Sequence, residues 1–215
     1  AVTSTVSITA VNDAPVLADA GGTLSFTEGG TAIPLDSTLS LSDVDDDKVD
    51  SATISISSGY VAGEDILAFN NANGITGSWN SVTGTLTLSG SVTKALYEEA
   101  LESITYENTS VAPNDSNRTV TWLVNDGDAN SSSVSTEISV SGVNSAPVIQ
   151  GIGETFFFTE DSAAKVIDSS LDLSDVDDAN IQSATITISV GYASSEDVLA
   201  FTNTSEITGS WDSDL

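Results

Sequence analysis

Two acidic stretches contain the residues of this sequence whose types and spacing could do chemistry. They read LSLSDVDDDKVDSATISIS at residues 39–57 and LDLSDVDDANIQSATITIS at residues 171–189. The letters SDVDD stand unchanged in both, whereas Asp47 is replaced by Ala179. A solvated charge run has no need to keep particular acids, so the pattern favours a defined role for the Asp-Val-Asp carboxylates. Residues two apart face one side of an extended segment and can share a cation.

The absence of Cys and His restricts any metal site to oxygen ligands. Zinc, haem and iron–sulfur centres rely on thiolate or imidazole ligands, so they are excluded. An EF-hand loop would use Asp43, Asp45 and Asp47 as its first, third and fifth positions. It also needs Gly at the sixth position and Glu at the twelfth, where this chain has Lys48 and Ile54. The sequence therefore indicates an oxygen-lined cation site that is not an EF-hand.

Composition excludes several classes of function. The chain has 215 residues, with 32 acidic against 4 basic side chains and a formal charge of -28. A nucleic-acid binder needs a basic face that displaces counterions from phosphates, so nucleic acid is excluded as a partner. Apolar residues make up 39% of the chain, too many for a disordered acidic tail. No run of 18 apolar residues occurs, so the sequence predicts no membrane insertion.

An internal repeat organises the chain. Residues 1–83 align with residues 133–215 at a constant offset of 132 without a gap, and 42 of the 83 pairs are identical. We therefore predict the last strand of a preceding repeat at 1–11, a complete repeat at 12–143, and the first half of the next repeat at 144–215. Half a repeat would leave strand edges uncovered, so we expect the natural protein to continue.

Apolar residues alternate with Ser and Thr along several short runs, which is the pattern of strands with one buried face. The alternating positions are Val6, Ile8, Ala10, Ala52, Ile54, Ile56, Leu86, Leu88, Val120, Trp122, Val124, Val134, Ile138 and Val140. Many short strands between Gly and Asn turns favour an all-β protein, built as antiparallel sandwiches in tandem.

One stretch, SVTKALYEEALES, has helical periodicity instead, and Ser91 or Thr93 could cap it. Its apolar face comprises Leu96, Ala100, Leu101 and Ile104. The sequence thus predicts one short helix per repeat.

Several short motifs stand in an order that resembles the cadherin-like repeats of large bacterial calcium-dependent surface adhesins, the extender repeats of RTX adhesins. The motifs are VNDAP, GTLTLSG, YEEAL, ESITYENTS and RTVTWLVNDG, and the resemblance covers the whole chain. It implies a Greek-key β-sandwich of the cadherin or immunoglobulin type in each repeat. It also implies Ca²⁺ between consecutive repeats, which makes adjacent repeats of the chain partners through the metal.

The resemblance also implies which residues bind calcium at the junctions. The implied ligand positions are Asn12, Asp13, Glu28, Asp43, Asp45, Asp126, Asn144, Glu160, Asp175 and Asp177. At the junction after the complete repeat, Glu28 comes from the first repeat and Asn144 from the linker. The second repeat then supplies Asp175 and Asp177. A further ligand stretch of the family, Leu-Asp-Arg-Glu, is missing, and the candidates to replace it are Glu98, Glu99 and Glu102.

From this resemblance we expect a calcium-rigidified extender module of a long secreted adhesin at the bacterial cell surface, supporting cell adhesion or biofilm formation. The alternative is a carbohydrate-binding module that binds surface polysaccharide through exposed aromatic residues. Trp79 and Trp211 share one repeat position and Trp122 alternates with valines, which favours packing over sugar binding. An enzyme is not expected, because the adjacent carboxylates Glu64 and Asp65 would point to opposite faces of a strand. We interpret that pair as a strand-entry turn or a secondary metal ligand.

Overall fold

The computed structural model describes residues 2–214, and the chain divides into two compact units at residues 1–177 and 178–215. The described part of the first unit is nearly all β, as the sequence predicts, with thirteen strands and one helix. These elements are β1 (Val16–Ala18), β2 (Thr23–Thr27), β3 (Ile33–Pro34), β4 (Ser40–Ser42), β5 (Lys48–Ser58), β6 (Asp65–Ala68), β7 (Thr76–Asn80), β8 (Thr85–Thr93), α1 (Lys94–Glu102), β9 (Thr105–Asn108), β10 (Arg118–Asn125), β11 (Val134–Ser141), β12 (Val148–Gln150) and β13 (Asp172–Ser174). In the second unit, residues 178–214 form turns and irregular backbone.

A six-stranded and a three-stranded sheet form the body of the first unit. The larger sheet has the order β2-β11-β10-β5-β8-β7, and its neighbours are antiparallel except β2 and β11, which are parallel. The smaller sheet has the antiparallel order β3-β9-β6. Two further ladders pair β1 with β4 and β12 with β13. The Greek-key connection inferred from the resemblance stays a prediction.

The two larger sheets share one apolar core. Along β10, buried and half-buried residues alternate, so that Val120, Trp122 and Val124 face inward. Across the core, Phe26 of the larger sheet contacts Tyr106 of the smaller one edge to face, with ring centroids 5.4 Å apart. The period-two pattern therefore predicts the buried face correctly, and the layers are those of a β-sandwich.

The helix α1 forms between β8 and β9, where the sequence predicts it. Its buried residues are Tyr97, Ala100 and Leu101, whereas Leu96 is only partly buried. The predicted apolar face is buried at Ala100, Leu101 and Ile104 and partly buried at Leu96, and the structure adds Tyr97 to it. Thr93 stands at the N-cap, although its side chain makes no capping hydrogen bond.

Two stretches that alternate like strands do not form strands. Residues 2–11, predicted as the last strand of a preceding repeat, are exposed and irregular, whereas the equivalent β11 is paired by β10 and β2. Residues 184–188 are also irregular, whereas the equivalent part of β5 lies between β8 and β10. A strand needs partners for its main-chain groups, and residues 2–214 provide no ladder for either stretch. The repeat boundaries themselves stay a prediction.

A buried ion pair joins β6 and β10 inside the sandwich. The Arg118 Nε atom lies 3.1 Å from Asp65 Oδ2, and both side chains are fully buried. Asp65 Oδ1 also accepts hydrogen bonds from the Tyr106 hydroxyl at 2.6 Å and the Asn108 amide at 2.8 Å. Asp65 is the first residue of β6, which agrees with the interpretation of Glu64 and Asp65 as a strand-entry turn. Its contacts make Asp65 a structural group of the core.

The variant Arg118→Met is expected to lower the free energy of unfolding by about 3–5 kcal/mol, because it leaves the Asp65 carboxylate buried without its counter-charge. Urea denaturation measures this loss. The double variant with Asp65→Leu is expected to lose less, since no unpaired charge then stays buried. Lys48→Met, at an exposed base, is the control. A loss of about 0.5 kcal/mol or less for Arg118→Met, as at ordinary surface positions, would contradict this account.

Candidate metal centre

Three carboxylates lie together in the turn between β4 and β5. One oxygen atom each of Asp43, Asp45 and Asp46 falls within 4.8 Å of the others. Elsewhere in residues 2–214, no three His, Cys, Asp or Glu side chains come together in this way. The turn could therefore hold a metal ion through carboxylate oxygens, the ligands that hard cations such as Ca²⁺ and Mg²⁺ prefer. We call residues 43–47 the acidic turn.

The Asp43 carboxylate shapes the acidic turn with one oxygen and leaves the other unpaired. Its Oδ1 accepts hydrogen bonds from the main-chain N–H groups of Asp45 at 3.1 Å and Asp46 at 2.9 Å. Its Oδ2 is buried and has no hydrogen-bond partner. A buried carboxylate oxygen without a partner is costly, and such groups are rare in folded proteins. A cation ligated by this oxygen would satisfy it, so the residues present fit a metal ion.

The charges of the acidic turn act on one another. Desolvation raises the pKa of Asp46 above its usual value, and the negative charges of Asp45 and Asp43 raise it further, with smaller effects from Asp126 and Asp128. A raised pKa of an acid means that its surroundings, here loss of solvent and nearby negative charges, disfavour the ionised form. The turn is therefore under electrostatic repulsion near neutral pH, and a bound cation would relieve it.

The segment that enters the complete repeat lies against the acidic turn. The main-chain N–H of Asp13 donates to both carboxylate oxygens of Asp45, at 3.2 Å each. The Asn12 side-chain amide donates to Asp126 Oδ2 at 3.0 Å. The pKa of Asp126 lies below its usual value, chiefly because of this hydrogen bond from Asn12 and next because the main-chain N–H of Ala129 also donates to its carboxylate. The structure thus brings four predicted positions together, namely Asn12, Asp13, Asp45 and Asp126.

The fold explains why Asp126 reaches the same place as the acidic turn. Asp126 directly follows β10, which runs antiparallel to β5, and Asn125 at the end of β10 pairs with Ser51 near the start of β5. The turn after β10 needs Gly127, whose φ is +113° and at which a Cβ atom would stand 2.9 Å from Asp50 Oδ2. The acids that follow β10 and precede β5 therefore lie at the same end of these two central strands.

The same local hydrogen bonds recur one repeat further along the first unit. The N–H of Ser145 donates to Asp177 Oδ2, as Asp13 does to Asp45. The N–H of Asp177 donates to Asp175 Oδ1 at 2.9 Å. The side chain of Asn144 donates to the carbonyl of Ser145 at 2.8 Å, which repeats the bond from Asn12 to the carbonyl of Asp13. The replacement of Asp13 by Ser145 keeps this geometry, because the main chain of that residue makes the contact.

Glu28 lies at the opposite end of the complete repeat from the acidic turn. β11 runs back from the end of β10 to Ser141, whose carbonyl accepts a hydrogen bond from the N–H of Glu28 at 2.9 Å. The Glu28 Oε2 atom accepts a hydrogen bond from the N–H of Val143 at 2.8 Å. Glu28 therefore contacts the segment that leaves the repeat and does not join Asp43 and Asp45. Its copy Glu160 is exposed and lies outside any strand.

The three glutamates of α1 have different surroundings. Glu98 Oε2 accepts a hydrogen bond from the N–H of Leu41 at 2.9 Å, and Glu99 Oε2 accepts one from the Asn73 amide at 3.3 Å. Glu102 is half-buried near the end of the helix. None of the three belongs to the group of carboxylates formed by the acidic turn.

The tryptophan side chains pack against the protein itself. Trp122 is fully buried and donates from Nε1 to the Thr136 hydroxyl at 3.1 Å. Trp79 is half-buried and contacts Tyr60 edge to face, with ring centroids 6.2 Å apart. Trp211 contacts Tyr192 in the same way at 5.8 Å. The packing expected from the alternation of Trp122 with valines is confirmed, and the recurring Trp79 and Trp211 each contact a tyrosine of the protein.

Sequence reasoning missed two residues of the site. Asp46 is the third member of the carboxylate group, and its recurrence as Asp178 within SDVDD was a signal that could have identified it. Lys94 donates from Nζ to the main-chain carbonyls of Asp43 and Asp46. No local signal points to that contact, because it joins residues about fifty positions apart in the chain.

The chain is similar to halomucin from Haloquadratum walsbyi (strain DSM 16790 / HBSQ001), with 35% identity over 109 residues that make up 48% of this chain and 1% of halomucin. The matched stretch is thus a very small part of a very long protein. No protein-family model matches the chain, and no solved structure matches it. Among the described residues, no helix has the length and apolar character that crossing a membrane requires.

The variant Asp46→Asn is expected to stabilise the metal-free protein at neutral pH, because it removes one of the mutually repelling charges. Since the pKa of Asp46 is raised in the folded state, its unfavourable contribution is present above that pKa and disappears as the pH falls through it. Urea denaturation in a chelator from pH 7 to pH 3 measures the difference from the unmodified protein. Asp115→Asn, at an exposed acid outside the turn, is the matched control. A difference that stays constant with pH, or equals that of the control, would refute this interpretation.

Proposed function

We propose that the acidic turn binds calcium and that the ion fixes the linker before each repeat, so that the module extends a long extracellular chain. One observation carries this proposal. The unpaired, buried Asp43 Oδ2 lies in a group of three carboxylates, one of which also holds the main chain of the linker through the N–H of Asp13. The group of carboxylates that could bind a cation thus also binds the main chain of the linker that precedes the repeat.

Calcium suits these ligands better than magnesium does. Ca²⁺ accepts six to eight oxygen ligands in flexible geometry, whereas Mg²⁺ demands a near-ideal octahedron and gives up its water reluctantly. The carboxylates of Asp43, Asp45 and Asp46 come from one short segment of irregular backbone, which is typical of a flexible oxygen site. Asp126 and Asn12 would support the ion from a second loop and from the linker. Bound calcium would supply positive charge that offsets the repulsion within the turn.

Calcium binding would stiffen the junction because the linker and the turn share hydrogen bonds. Without the ion, repulsion favours separation of the carboxylates, and the contact from Asp13 to Asp45 weakens with it. With the ion, Asp45 is held in place and so is the segment bonded to it. The recurrence of the local bonds at Ser145, Asp175 and Asp177 supports one mechanism at successive junctions.

The sequence repeat and the comparison support the role of an extender. Two copies at an offset of 132 residues, with 42 of 83 aligned residues identical, are typical of modules that stack in series. The match to 1% of halomucin supports a place inside a very long chain. Extracellular calcium is abundant enough for sites with dissociation constants of about 10⁻⁴–10⁻³ M, the range of extracellular modules. A bacterial cell-surface adhesin that acts in cell adhesion or biofilm formation is the form of this function that the sequence resemblance favours.

The carbohydrate-binding alternative has less support. Trp122 belongs to the core, and Trp79 and Trp211 each contact a tyrosine of the protein. A sugar platform needs an exposed aromatic face, which these contacts partly cover.

Isothermal titration of calcium into the chain at pH 7 tests the proposal. The unmodified protein is expected to bind calcium, and Asp45→Asn to bind it about tenfold or more weakly, since affinity follows the charge of the ligands. Asp115→Asn makes the same chemical change at an exposed acid outside the turn and is expected to bind like the unmodified protein. Absence of binding at calcium concentrations of about 10 mM, well above that range, would overturn the proposal. Equal binding by Asp45→Asn would remove the acidic turn from it.

A further inference from the structure

The helix α1 contacts the acidic turn and the strand before it through two residues, Lys94 and Glu98. Lys94 Nζ donates to the carbonyl of Asp43 at 2.7 Å and also to the carbonyl of Asp46. The main-chain N–H of Lys94 donates to the carbonyl of Asp47 at 3.2 Å. One turn further along α1, Glu98 accepts a hydrogen bond from the N–H of Leu41 in β4. The main chain from residue 41 to residue 47 is therefore held at four points by two residues of α1.

The spacing of these residues follows from helix geometry. Residues four positions apart lie on the same face of a helix, so Lys94 and Glu98 both face the same segment. The ammonium group has three donors, and two of them bind carbonyl oxygens of the turn. These are charge-assisted bonds, which are stronger than bonds between neutral groups. The ammonium thus draws the carbonyls toward the helix and keeps the main chain of the turn in one shape.

We propose that Lys94 and Glu98 are positioning residues of the cation site, which hold the acidic turn in its binding shape before the ion arrives. This inference rests on the proposed binding of calcium. In the absence of metal, the repelling carboxylates favour a more open turn, and the four contacts with α1 oppose that opening. A turn that is already ordered loses less conformational freedom when it binds, so its affinity is higher.

A simple charge effect has the opposite sign. The positive charge of Lys94 lies beside a cation site, and by charge alone its removal would tighten calcium binding. If the residue positions the turn, its removal weakens binding instead. The sign of the change therefore separates the two roles.

Lys48 provides a matched control for charge. It follows the acidic turn directly at the start of β5 and is exposed. Within residues 2–214 its side chain takes part in no hydrogen bond or ion pair. Lys48→Met removes the same charge from the neighbourhood of the turn without removing a contact.

Calcium titration of the 215-residue chain compares the unmodified protein with Lys94→Met, Lys94→Arg, Glu98→Met, Glu98→Gln and Lys48→Met. Lys94→Met and Glu98→Met are expected to bind about tenfold more weakly, which is about 1.4 kcal/mol. Glu98→Gln, which keeps an acceptor for the N–H of Leu41, is expected to bind more tightly than Glu98→Met. Lys94→Arg, which can still donate to two carbonyls, is expected to recover part of the affinity. Lys48→Met is expected to bind equally or more tightly. Circular dichroism in chelator checks folding. If Lys94→Met fails to fold, the comparison of Glu98→Met with Glu98→Gln decides, because both lack the charge and only Glu98→Gln keeps an acceptor for the N–H of Leu41.

Terbium luminescence supplies a readout that a loss of stability alone does not change. Decay times of bound Tb³⁺ in H₂O and D₂O give the number of water molecules on the ion. A loosened turn is expected to leave more water on the ion in Lys94→Met than in the unmodified protein. Calcium binding by the unmodified protein together with unchanged or tighter binding and the same water count in Lys94→Met would overturn this inference and leave the proposed function standing. Absence of binding by the unmodified protein would overturn both.

Discussion

Three carboxylates held within 4.8 Å of one another repel, and the main chain around them has to be fastened from several sides. In this protein three sets of hydrogen bonds hold the turn. They are made by the Asp43 side chain within the turn, by Lys94 of α1 and by the linker N–H of Asp13. These contacts make the acidic turn an ordered structure rather than a solvated charge run. They also leave the buried Asp43 Oδ2 without a partner, which is the feature that a cation would complete.

The β-sandwich determines which groups meet at this turn. Because β5 and β10 are antiparallel neighbours, the residues before β5 and after β10 lie at the same end of the larger sheet. The parallel pairing of β2 with β11 places Glu28 at the other end, beside the segment that leaves the repeat. One module therefore presents acids at both ends. The buried ion pair of Asp65 and Arg118 joins β6 to β10 inside the sandwich that maintains this arrangement.

Much of the fold could be predicted from the sequence because period-two alternation depends on local chemistry alone. The buried faces of β5, β8 and β10 follow directly from it, and so does the position of α1. The strand expected at residues 6–10 does not form, because a strand needs a partner that completes its ladder, and alternation alone does not show whether a partner is present. Residues 184–188, the equivalent of part of β5, are irregular for the same reason. The apolar face predicted for α1 is buried at Ala100, Leu101 and Ile104, and the structure adds Tyr97, which the sequence analysis did not include.

The candidate site was predictable where it recurs in the sequence and hidden where it depends on the fold. Repetition of SDVDD identifies Asp43 and Asp45, and it also contains Asp46, whose importance appears only from the geometry of the turn. The contacts of Lys94 and Glu98 with residues 41–47 join positions far apart in the chain, so no local pattern reveals them. The proposal that a cation binds here, and that the cation is calcium, is inferred from the chemistry of the oxygen ligands.

Amide hydrogen exchange at Asp13 tests the central claim, that a cation in the acidic turn fixes the linker, most directly. The N–H of Asp13 bonds to the Asp45 carboxylate, so its exchange rate reports whether linker and turn stay joined. Exchange measured by NMR in calcium, in magnesium and in chelator is predicted to be slowed by calcium far more than by magnesium. The amide of Asp115, in an exposed loop, is predicted to exchange equally in all three. An Asp13 amide whose exchange rate calcium leaves unchanged would contradict the account.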